Sequence, residues 1–163
     1  MIDKAMKPEM VIITDGHIYD YRHDKDVNQD GKYPDVYEEI SSFERDYNVK
    51  VITTCPDFCN KWKDRIEVID INTENINEGL DKSMEIVRNA DVCILVDCLA
   101  TASPVKDILS VIRKEARLLH CHETDGVNRL PRLANVLDAF KYSVKGPIPE
   151  GLKDIRRYLK ENI

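Results

Sequence analysis

Along this chain, short apolar runs alternate with stretches in which apolar residues recur every three or four positions. Met10-Val-Ile-Ile-Thr14 is an apolar run closed by Asp15-Gly16, which predicts a strand and a turn. Val36, Ile40, Phe43 and Tyr47 then recur at helical spacing. Val49–Thr53 and Arg65–Ile71 read as further strands, and Ile76, Leu80, Met84 and Val87 predict a helix over about 75–89. Asp91-Val-Cys-Ile-Leu-Val-Asp97 has a continuous apolar centre, the pattern of a parallel strand covered on both faces. Ser103-Pro104 supplies an N-cap and a first-turn proline for a helix lined by Val105, Ile108, Leu109 and Ile112. Arg117–His120 is a last short strand. Leu133, Val136, Leu137 and Phe140 predict a helix stopped by Gly146-Pro147, and Leu152, Ile155 and Leu159 line a terminal helix opening after Pro149.

Strands alternating with helices at this spacing imply βαβ units and right-handed crossovers. The expected fold is therefore a doubly wound, Rossmann-like α/β three-layer sandwich, with a mostly parallel sheet of about five strands. No repeat or interdomain linker interrupts the pattern, so residues 1–163 are expected to form a single α/β domain. The polar stretch from His17 to Pro34 is longer than most loops without structure of their own, which often marks function.

Composition narrows the function classes. The net charge is −6, from 30 acidic against 24 basic side chains, and no arginine-rich stripe is present, which argues against a nucleic-acid partner. The apolar runs are strand-sized, so no membrane association is expected. Residues 1–10 carry no secretory h-region, and a cytoplasmic location is expected. In that setting the five cysteines would be reduced thiols. Cys93 is mid-strand and expected in the core. Cys55 and Cys59 are separated by three residues, not the two of a thioredoxin-type motif, and packing explains them better.

Candidate chemistry gathers after the strands, where open parallel sheets bind ligands. All four histidines lie there. Asp15, Asp97, His120 and His122 are the candidate catalytic residues. A carboxylate beside apolar strand ends is partly desolvated and suited to general-base work. His120 and His122, two apart in a strand, point to one face and could share a divalent metal with Asp97 as a further ligand. Asp26-Val-Asn-Gln-Asp30-Gly31 resembles the calcium loop of EF-hands and dockerins, with Asp26, Asn28 and Asp30 at the oxygen-ligand positions; the twelfth position, where that family has a carboxylate, is Tyr37. For an anionic small molecule, Thr14, His17, Thr101, Ser103, Lys106 and Arg129 are the candidate binding residues, with the helix after Ser103 offering free N–H groups. Neither G-x-G-x-x-G nor a Walker motif is present, so neither NAD nor a P-loop nucleotide is expected.

Two further resemblances are local. Ala90–Asp97 followed by a His-Glu segment is similar to hydrogenase-maturation endopeptidases, which place an Asp and a His on nickel. The chain reads Thr14-Asp15-Gly16 where that family has its glycine-asparagine signature, so nickel and peptidase activity are not carried over. Ala90 to Arg132 also resembles the Rossmann-like amino domain of some metalloaminopeptidases, whose metal-binding carboxyl domain has no counterpart here. The reading reached is a small-molecule enzyme, a metal-assisted or acid–base transferase or hydrolase acting on a phosphorylated or nucleotide-like substrate at the carboxyl ends of the strands, compatible with a homo-oligomer. The alternatives are a non-catalytic ligand-binding or regulatory subunit of a larger assembly, and an isolated metal-binding module.

Overall fold

The computed structural model describes residues 7–14, 19–20, 25–26, 34–53, 67–70, 76–96, 105–122, 142–145 and 148–162. Strand β1 (Glu9–Thr14) is followed by two two-residue strands, β2 (Tyr19–Asp20) and β3 (Lys25–Asp26), paired antiparallel. Helix α1 (Pro34–Ser42) and a 3₁₀ turn (Phe43–Arg45) lead to β4 (Asn48–Thr53) and β5 (Glu67–Asp70). Next come α2 (Ile76–Arg88), β6 (Val92–Val96), α3 (Val105–Leu109), β7 (Arg117–His122), β8 (Tyr142–Lys145) and α4 (Ile148–Glu161). Six strands form one sheet in the order β5-β4-β1-β6-β7-β8, and every pairing in it is parallel. This is the order of dinucleotide-binding doubly wound sheets, with the reversal between β1 and β6. The expected fold class is therefore observed.

Among the described residues, the apolar positions of β1, β4, β6 and β7 are buried because helices cover both faces. On one face Met10, Ile12, Val49, Val51, Ile94, Val96, Leu119 and Cys121 pack with Ile40 and Phe43, and with Leu152, Ile155 and Leu159 of α4. On the other, Val11, Ile13, Ile52, Cys93 and Leu95 pack with Val87 of α2 and Ile108 of α3. Burying one such Ile or Leu side chain stabilises the fold by about 1.5–3 kcal/mol. Cys93 is fully buried, as its mid-strand position predicts.

Polar contacts pin the amino ends of the strands. Asp91 accepts a hydrogen bond from the Glu9 backbone N–H at 2.8 Å through Oδ2 and an ion-paired bond from Arg113 at 2.7 Å through Oδ1. Its backbone N–H donates to Glu9 O at 2.8 Å, and its carbonyl accepts from Arg117 N at 2.9 Å. Glu9 also receives Asn48 Nδ2 at 3.1 Å and Lys50 Nζ at 2.8 Å, tying β4 to β1. Arg156 of α4 donates to Glu39 of α1 at 2.8 Å and to the Ser42 hydroxyl, joining the two helices on one face.

Four elements differ from the sequence expectation. The His17–Pro34 stretch carries the β2–β3 ribbon. Helix α3 ends at Leu109, not Ile112, where the Ser110 hydroxyl donates to the Asp107 carbonyl at 2.6 Å and diverts it from the helical pattern. Strand β7 runs to His122, so the whole His120-Cys121-His122 segment is extended backbone. Strand β8 was not expected at all. Residues 133–140, where a helix is predicted, lie outside the described residues.

Candidate functional site at the carboxyl edge of the sheet

Parallel pairing brings the carboxyl ends of the strands to one edge. Thr14 is register partner to Thr53 on one side and Val96 on the other, Val96 pairs with Cys121, and Cys121 with Val144. Ile40 of α1 packs on one face of the sheet and Ile108 of α3 on the other. Helices α1 and α3, which follow β1 and β6 in the chain, thus lie on opposite faces, and the point between β1 and β6 is the switch point at which open parallel sheets seat ligands. Thr14 ends β1 at this point and is 2% exposed.

Alternation along the strands sorts the side chains by face. Thr14 shares the parity of Met10 and Ile12 and lies on the α1–α4 face, in the row Thr14, Val96, Cys121 and Val144. His120 shares the parity of Leu118 and lies on the α2–α3 face, in the row Ile13, Leu95, His120 and Ser143. The structure thus places Thr14 and His120 at the same edge but on opposite faces, two strands apart, about 10 Å. His120 is 2% exposed, and its Nδ1 lies 3.3 Å from the Ser143 hydroxyl on β8. Cys121 is fully buried, and its Sγ packs against Gly151 in the first turns of α4.

The remaining candidates are distributed as follows. His122 is the final residue of β7. Lys106 falls within α3, and Asp26 pairs with Tyr19 in the β2–β3 ribbon. Asp15, His17, Asn28, Asp30, Asp97, Thr101, Ser103 and Arg129 lie outside the described residues, as do Cys55, Cys59 and Cys98. The helix expected to cradle an anion after Ser103 is only five residues long, so the aligned dipole behind it is that of a single turn. Among the described residues no group of three or more His, Cys, Asp and Glu side chains is placed to hold a metal ion. The sheet itself accounts for part of this: Cys121 faces away from His120, and Nδ1 of His120 is engaged by Ser143. Two residues at this edge lie outside the set read from the sequence: Ser143, whose hydroxyl faces His120 Nδ1, and Gly151, against which Cys121 packs.

A separate cavity of about 290 Å³ lies at the opposite, amino edge. Pro8, Phe43, Asp46, Tyr47, Arg156, Leu159 and Lys160 line it. Burial pushes the Tyr47 phenol up from its ordinary pKa; the Arg117 charge opposes this and the Asp46 charge adds to it. Its walls are mostly apolar, and the parallel-sheet rule places ligands at the other edge. The carboxyl edge is the better candidate.

No protein-family profile matches the sequence, and no curated protein matches it significantly. Solved structures share its fold. A Sir2 enzyme from a study of Sir2 mechanism and regulation superposes with a TM-score of 0.64 at 13% identity, over 97% of this chain and 94% of that one. A Sir2 mutant with a p53 peptide and NAD gives 0.62 at 10% identity, over 98% and 96%. A Sir2-homologue mutant in complex with 2′-O-acetyl ADP ribose gives 0.60 at 13%, over 97% and 94%. At identities this low the superpositions show the Rossmann-like fold alone. They also correct one expectation: the missing G-x-G-x-x-G does not argue against NAD, because chains with this architecture include an NAD complex. Among the described residues no helix is long and apolar enough to cross a membrane.

Proposed function

We propose that the protein binds a nucleotide of the ADP-ribose class, NAD included, in the crevice between the carboxyl ends of β1 and β6. On this reading it is a small-molecule transferase or hydrolase acting on that ligand. The reversal of strand order at the Thr14–Val96 register carries the proposal, because that is where doubly wound sheets seat a dinucleotide. The fold likeness to Sir2 structures holding NAD or 2′-O-acetyl ADP ribose supports the same ligand class. Asp15 and Asp97 are the next residues after Thr14 and Val96, so their chain segments begin from paired positions. A carboxylate there can accept a ribose hydroxyl or a proton from an attacking nucleophile. Thr101, Ser103, Lys106 and Arg129 are the proposed contacts to the phosphates.

Calorimetric titration with NAD, ADP-ribose, AMP and ribose 5-phosphate tests the binding step. ADP-ribose and NAD should bind, AMP more weakly, and Asp15→Asn or Asp97→Asn should weaken both by about tenfold or more, the scale of one charge-assisted hydrogen bond. Chromatography of NAD after incubation with the protein then tests turnover. Absence of binding by all four compounds would refute the ligand class. Binding without any product would favour the non-catalytic alternative.

A further inference from the structure

Ser143 and His120 form a pair that the nucleotide reading does not use. They are direct register partners on β8 and β7, on the α2–α3 face of the sheet. The hydroxyl lies 3.3 Å from Nδ1, within hydrogen-bonding reach. Their burial is opposite: Ser143 is exposed, while His120 behind it is 2% exposed. An incoming electrophile therefore meets the hydroxyl first, with the imidazole shielded behind it. That order is the one an activated nucleophile requires, since a serine hydroxyl at its ordinary acidity is unreactive without an adjacent base.

We propose that Ser143 is a nucleophile toward small carboxylic esters, with His120 as its general base. The step uses the tautomer with the ring proton on Nε2, leaving Nδ1 to accept. Ser143 Oγ bonds to the acyl carbon as its proton passes to His120 Nδ1. The bond from the acyl carbon to the leaving alcohol oxygen breaks, and the alcohol departs with that proton. Water then repeats the sequence at the acyl-serine: it bonds to the acyl carbon, its proton passes to Nδ1, and the acid leaves as Ser143 regains a hydrogen. No oxidant, reductant or metal enters the balance.

A fluorophosphonate probe tests the pair directly, because it traps an activated serine covalently. The full-length protein should form one adduct, and peptide mapping should place it on Ser143. Ser143→Ala should abolish the adduct; the residue is exposed on an edge strand, so the fold should persist by circular dichroism. His120→Gln should slow labelling by about a hundredfold or more, within the range of general acid–base contributions. p-Nitrophenyl acetate should show a burst of one p-nitrophenolate per protein that Ser143→Ala removes. A wild-type protein that forms no adduct overturns the proposal, as does an adduct at another residue or equal labelling of Ser143→Ala. Because the wild-type arm decides by itself, poor folding of His120→Gln leaves the test intact. None of these outcomes depends on whether a nucleotide binds between β1 and β6.

Discussion

Gly151 offers the sharpest test of the packing behind the carboxyl edge. It is the fourth residue of α4 and is buried against β7 and β8. A Cβ added there would overlap Cys121 Sγ and come within 3.1 Å of Val144 Cγ1. Overpacking of this kind costs about 1–3 kcal/mol. Against it, replacing a glycine inside a helix by alanine gains about 0.8–1.0 kcal/mol. The net expectation for Gly151→Ala is a loss of up to about 2 kcal/mol, or several degrees in Tm for a chain of this size. Cys121→Ala removes the atom that the new methyl group meets. By itself it should cost about 1 kcal/mol for the lost burial and small void. The double variant should be at least as stable as Cys121→Ala alone, because the methyl group occupies the vacated space and the helix gain remains. Urea denaturation followed at 222 nm gives all four corners of the cycle. A coupling of 1 kcal/mol or more, with the double variant rescued, supports the contact. Additivity within about 0.5 kcal/mol would refute it, since residues not in contact add to that precision.

Two further outcomes follow from the amino edge and the core. Asp91→Ala should cost about 1–3 kcal/mol, because it leaves the Glu9 N–H without its 2.8 Å acceptor, whereas Arg113→Ala should cost under about 1 kcal/mol. Equal urea midpoints for these variants would show that the Asp91–Glu9 bond contributes nothing. Burial pushes the Cys93 thiol from 9.0 up to about 12, so the folded state keeps a proton that the unfolded chain releases. That contribution is complete below pH 9 and falls by about 1.4 kcal/mol per unit as pH rises through 9 toward 12. Cys93→Ala should remove that slope in pH-dependent unfolding; an unchanged slope would show that the thiol ionises without opening the core.

Much of the fold was legible because burial is periodic and local. Met10–Ile13 and Val92–Val96 are each apolar on both faces because helices cover both sides, and continuous apolar runs report that condition. Strand β8 was missed because Tyr142-Ser-Val-Lys145 has two apolar residues in four; what makes it a strand is its pairing with Leu119–His122 across the sheet.

The sequence by itself therefore determined the alternation of elements, the core positions and the collection of reactive residues after strand ends. It could not determine strand order, since the Thr14–Val96 register joins residues far apart in the chain through backbone hydrogen bonds that carry no side-chain signature. Tertiary structure decided that the sheet reverses between β1 and β6, which gives the candidate crevice. It also decided that Thr14 and His120 lie on opposite faces, and that His120 meets Ser143. Those outcomes depend on which strands lie side by side, and that choice is made by the packing of the whole sheet rather than by any segment of it.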